Sequence, residues 1–88
     1  MKLAVKQFFE ALGIDQKMHE AAVMSRWEEY MGSAVAKRTE KKYIKNRILY
    51  IELNSSVMRD ELMHQKSEIV KKVNAVAGVE IIDEVFLR

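Results

Sequence analysis

The segment YIKNRILYIEL, residues 43–53, constrains the fold more than any other part of this chain. Leu49, Ile51 and Leu53 alternate with Tyr50, Glu52 and Asn54. A period of two gives a strand with one buried face and one wetter face. Tyr43 and Ile44 supply the partner strand. The turn falls near Lys45-Asn46-Arg47, because asparagine tolerates positive φ even without a glycine beside it.

The flanking segments are helical in period. Val5, Phe8, Phe9 and Leu12 recur at spacings of three and four, which predicts a helix over about Lys2–Leu12. Asp15 is placed to cap a second helix over about Asp15–Met31, with Met18, Ala22, Val23, Trp27 and Tyr30 or Met31 on its buried stripe. Ser33–Thr39 suits a further short turn of helix, with Ala34 and Val35 inward. After the hairpin, Ser55 or Ser56 caps a long helix reaching about Ala77. Its stripe is Met58, Leu62, Ile69, Val73 and Val76, widened by Met63, Val70 and Ala77. VEIIDEVFLR then reads as a closing strand. Gly13, Gly32 and Gly78 each follow a helical pattern, where glycine suits the left-handed C-cap.

The predicted order is α-α-β-β-α-β. A strand–helix–strand connection has to cross over. The economical arrangement is an α+β fold, with a small three-stranded sheet and the helices packed on one face. Tyr50 and Phe86 fall on the opposite, open face. Eighty-eight residues suffice for one domain, spanning residues 1–88, with one modest core. Without cysteine there is neither a disulfide scaffold nor a thiolate zinc site. No apolar run approaches the roughly 18–20 residues that span a bilayer. The N-terminal apolar segment is interrupted by Lys6 and Glu10, so it reads as an amphipathic helix and not as a cleavable signal. A cytoplasmic protein without membrane contact is the expectation.

Charge is unevenly distributed. Residues 1–50 hold ten Lys/Arg against six Asp/Glu, while residues 51–88 hold five against seven. Six of the cations, Lys37, Arg38, Lys41, Lys42, Lys45 and Arg47, crowd into residues 37–47 with one acid, Glu40. A hairpin tip bearing such cations can meet successive phosphates through counterion release, without sequence choice. Tyr43 or Tyr50 can stack on an unpaired base. Lysines along a strand edge also have a simpler use, since they block edge-to-edge aggregation.

Catalytic chemistry finds no support. His19 and His64 stand far apart in sequence with no partner one helical turn away, so no metal site is expected. The acidic pairs Glu28-Glu29, Asp60-Glu61 and Asp83-Glu84 are sequence neighbours and point apart. Ser55 and Ser56 lack a nucleophile setting. P-loop and dinucleotide fingerprints are missing. Neither an enzyme nor a cofactor is expected. Trp27, on an apolar stripe, reads as core.

Trp27 and Gly32 in RWEEYMGSAVAKRT, the hairpin, NSSVMRDEL, Asn74 before Gly78, and the closing VFLR form an ordered set over about residues 8–88. In that order they resemble the DciA-like family of bacterial proteins, once catalogued only as a domain of unknown function. The resemblance implies a K-homology-like domain that binds DNA, single-stranded or without sequence preference. It also implies a role in replication as loader or operator of the DnaB-type helicase. Longer relatives carry a further tail that takes part in helicase contact, so the resemblance is to a short stand-alone form. The chain lacks the G-x-x-G segment with which ordinary K-homology domains clamp nucleotides, so its grip would use another surface. Two other readings stand beside this one: a protein-interaction adaptor without direct DNA contact, and an RNA-binding module. A monomer or weak homodimer is expected, since the sheet leaves an edge exposed.

Overall fold

The alternation from Ile48 to Leu53 is realised as a central strand in a computed structural model, which describes residues 14–88. The expected helix at Lys2–Leu12 and the stop at Gly13 lie outside the described residues. The described elements are α1 (Ile14–Ser25), α2 (Trp27–Met31), α3 (Ser33–Arg38), β1 (Thr39–Lys45), β2 (Ile48–Leu53), α4 (Ser56–Met63), α5 (Lys66–Ala77) and β3 (Glu84–Leu87). The sheet order is β1-β2-β3, with β1 antiparallel and β3 parallel to β2. The chain between β2 and β3 crosses over through α4 and α5. The α+β class and the three-stranded sheet are those predicted.

One face of the sheet is the floor of the core. Leu49, Ile51, Leu53, Val85 and Leu87 point into it, and meet Val23, Trp27, Leu62, Ile69, Val73 and Ala77 from the helices. Fully burying a side chain of this size contributes about 1.5–3 kcal/mol, so this one cluster carries most of the stability. Ala22, Met18 and Met63, all expected on a stripe, stay outside it, Met18 being 66% exposed and Met63 51% exposed. Trp27 sits in the cluster as expected. Its Nε1–H donates to Thr39 Oγ1 at 3.3 Å, and its ring meets Tyr30 edge-on with centroids 5.7 Å apart. The Tyr30 hydroxyl donates to the Val23 carbonyl at 3.1 Å, and burial pushes its ionisation well above that of a free phenol.

Ser55 caps α4, accepting from the Met58 N–H at 3.2 Å. The single helix predicted from there to Ala77 is two. The His64 and Gln65 N–H groups reach back only three residues, to the carbonyls of Glu61 and Leu62, and α5 restarts at Lys66. No glycine or proline marks the break. It lets α4 lie along β2 and β3 while α5 packs between α1 and β3. The helix expected over Asp15–Met31 is likewise divided at Arg26, whose carbonyl accepts from Glu29 N–H in the same tight manner.

Gly78 is the expected left-handed cap, at φ 81°, ψ −6°, its N–H bonded to the Asn74 carbonyl. Gly32 differs. Its φ of 91° comes with ψ 156°, a region open essentially to glycine alone, and this sharp corner turns α2 into α3.

The closing strand is shorter than VEIIDEVFLR suggests. Ile81 and Ile82 are buried but lie before β3, in irregular backbone. The Asn74 side chain takes the place of a sheet neighbour there. Its Oδ1 accepts from the N–H groups of Ile81 and Ile82 at 2.9 and 3.1 Å, and its Nδ2 donates to the Ile82 carbonyl at 3.1 Å.

Candidate nucleic-acid interface

The register of β1 decides which side chains face solvent. Thr39 pairs with Leu53, but the pairing then shifts between Thr39 and Lys41. Side chains alternate strictly along a strand, so one extra residue inverts every face beyond it. Thr39 therefore lies on the core side, as do Lys42 and Ile44, while Lys41, Tyr43 and Lys45 emerge on the open side. Glu52 and Tyr50 share that open side, as the partners of Lys41 and Tyr43. Phe86 pairs with Tyr50 from the other edge.

The result is a row of three rings, one per strand. Tyr43 and Tyr50 stack at a centroid distance of 4.8 Å with planes 11° apart. Tyr50 and Phe86 are 5.7 Å apart and tilted by 50°. Tyr43 is 39% exposed and Phe86 46% exposed. Lys41 and Lys45 flank Tyr43 two residues away on either side, hence roughly 13 Å apart along the strand. Of the acids on this face, Glu52 is held by Arg88 at 3.4 Å, and Glu84 sits on the β3 edge.

The six cations of residues 37–47 do not gather at one tip. Lys42 turns to the helix side, where its Nζ lies 5.8 Å from the centre of the Trp27 ring. Arg47 is turned onto the loop before β3. Its Nε and Nη2 donate to the two Asp83 oxygens at 2.8 Å each, and its Nη1 donates to the Glu80 carbonyl at 3.2 Å. The Asp83 N–H donates back to the Arg47 carbonyl at 2.8 Å. This clamp accounts for the turn. Asn46 and Arg47 both have positive φ, 53° and 63°, which a two-residue hairpin turn of this hand requires and which arginine rarely adopts. Lys37 and Arg38 lie at the other end of the hairpin. Both are exposed, and with Ser55, Val57 and Glu61 they border a cleft of about 500 Å³ between α3 and α4.

The clamp gives stability a pH dependence. The Arg47 hydrogen bonds hold the Asp83 carboxyl below the ordinary carboxylate range. A depressed acid stabilises the fold above its unfolded pKa and ceases to do so as pH falls through its folded value. Asp83→Asn is therefore expected to melt below the wild type at neutral pH. The difference should vanish in acid, once the Asp83 carboxyl of the wild type is neutral. A gap independent of pH would mean that the ion pair is not its source.

Residue type and alternation point to Tyr43 and Tyr50 as stacking residues and put Phe86 on the open face without that role. The alternation of Val85 and Leu87 around Phe86 was the available signal. The roles of Asp83 and Asn74 left no trace beyond residue type, since each acts through a contact distant in sequence.

Fold and surface together define a small α+β domain whose one open sheet face carries aromatic rings between lysines. The chain belongs to the DciA family: the family model described as "Dna[CI] antecedent, DciA" matches residues 2–87. No curated protein and no solved structure matches it. Membership implies a part in DNA replication as a loader of the DnaB-type helicase, and so an interaction with that helicase. Such a family consists of accessories to a motor, not of catalysts. Among the described residues no helix is long and apolar enough to cross a membrane.

Proposed function

We propose that this chain assists helicase loading by holding DNA through its phosphates, using Lys37, Arg38, Lys41 and Lys45. The supporting observation is that all four are exposed and have no carboxylate partner within ion-pair distance among the described residues. They follow the chain from the hairpin base to its tip, so a polyanion can lie along β1. Lys42 and Arg47, joined to Trp27 and Asp83, hold the fold in this reading. Tyr43 and Tyr50 support the bound strand.

The test replaces Lys37, Arg38, Lys41 and Lys45 together with glutamate. Wild-type affinity for single-stranded DNA should fall with log salt at a slope of about −3, near −0.7 per neutralised phosphate. The variant should lose binding at physiological salt and keep its thermal transition, because exposed substitutions usually change stability by no more than about 0.5 kcal/mol. Undiminished binding by a folded variant rejects the phosphate track. The adaptor reading has its own observation: Val57, 69% exposed, and Met63, 51% exposed, offer apolar surface on α4. If the wild type binds no DNA but captures the helicase with little salt dependence, that reading prevails.

A further inference from the structure

We infer that the open sheet face is a stacking platform for unpaired bases, so that the chain distinguishes single-stranded from duplex DNA, with Phe86 as a contact residue. This rests on the proposal that Lys41 and Lys45 meet phosphates, and adds to it the class of strand that is held.

Three observations carry it. First, the rings of Tyr43, Tyr50 and Phe86 stand in register across all three strands, and the two outer ones are the more exposed. A large ring left in water on a sheet face has apolar area to bury against a flat partner, and a nucleobase is such a partner. Second, Tyr43 and Tyr50 are nearly parallel, and β1 is a sheet edge. A base laid on the outer face of Tyr43 continues a stack that already exists. At the other edge the exposed ring of Phe86 offers a second stacking position. Third, the charges give the bound strand a side. Lys41 and Lys45 bracket Tyr43 on β1, whereas Glu84 lies on the β3 edge and Glu52 is occupied by Arg88. Phosphates are drawn to Lys41 and Lys45 at the β1 edge while a base lies against the outer face of Tyr43. Bases stacked within a duplex have no free faces to offer, so a platform of this kind selects unpaired strands.

Cross-strand aromatic pairs also stabilise sheets with no ligand at all, and the experiment separates the two roles. Fluorescence anisotropy titrations use a labelled oligothymidine and a duplex of matched length, with the wild type, Phe86→Ala, Tyr43→Ala and Tyr43→Phe. The wild type should bind the single strand more tightly. Phe86→Ala and Tyr43→Ala should each weaken single-strand binding about ten-fold, leaving duplex binding and the salt slope unchanged. Tyr43→Phe, which keeps the ring, should bind as the wild type does. Should the alanine variants weaken both substrates equally, or neither, the platform is wrong while the phosphate track stands. Salt-dependent wild-type binding to neither substrate overturns both. Loss of helicase capture with single-strand binding intact would give this face to the protein partner and overturn the platform alone. If either alanine variant fails to fold, Tyr43→Leu, which retains apolar bulk without a ring, decides by the same criteria.

Discussion

Asn74→Ala is expected to lower the free energy of unfolding by about 3–5 kcal/mol. Each buried polar group left without a partner costs roughly 1–3 kcal/mol, and this substitution strands three. The N–H groups of Ile81 and Ile82 lose their common acceptor, and the Ile82 carbonyl loses its donor. Water does not readily replace the amide, because Ile81 and Ile82 are 0% and 1% exposed. Asn74→Asp keeps the acceptor for both N–H groups but loses the donor and brings a charge into a partly buried site. It should fall between wild type and alanine. Urea unfolding followed by circular dichroism measures both. An alanine variant that unfolds at the wild-type midpoint would falsify the assignment of Asn74 as the anchor of the loop before β3. The stakes extend to the candidate interface. That loop also carries Asp83, whose clamp on Arg47 holds the hairpin turn, and it leads directly into Phe86.

The second large effect belongs to Trp27. Truncation to alanine removes a ring that is 4% exposed, and should cost about 3–5 kcal/mol. A domain of this size has little more than that to lose, so a substantial unfolded population is expected at ambient temperature. Three further contacts go with the ring: the hydrogen bond to Thr39, the edge-on Tyr30 ring and the Lys42 ammonium above it. Trp27→Phe retains most of the packing and should be much milder, losing chiefly the bond to Thr39. Trp27 is the only tryptophan, so unfolding has to be followed by circular dichroism and not by intrinsic indole emission. A cooperative, wild-type-like transition for the alanine variant, coupled with loss of DNA binding, would move Trp27 from the core to the binding surface.

Lys42 shows why the cations of residues 37–47 cannot be treated as one group. Reversing its charge would disturb Trp27, and reversing Arg47 would release the turn. Loss of binding in either variant would then report unfolding as readily as a lost phosphate contact. The four exposed cations give the cleaner test, and the rings of the open face give an independent one.

Much of the architecture was legible in the residues. The period of two at Leu49, Ile51 and Leu53 set the buried face of the central strand. The period of three to four in the helices set what covers it, and an asparagine marked the turn. These are local signals, in which each residue's face follows from its neighbours and the geometry of one element. The sequence by itself therefore determined the α+β class, the three strands and the presence of Tyr50 and Phe86 on an open sheet face.

Only the tertiary structure decided the rest. It broke one predicted helix at His64-Gln65 with no glycine or proline to announce it, so that α4 lies along β2 and β3 while α5 packs against α1 and β3. Through an irregularity of one residue near Glu40, it sent Lys42 inward and Tyr43 outward. It also spent Arg47 on Asp83, thirty-six residues away. Periodicity carries no information about such contacts, since they depend on which surfaces meet once the chain has folded.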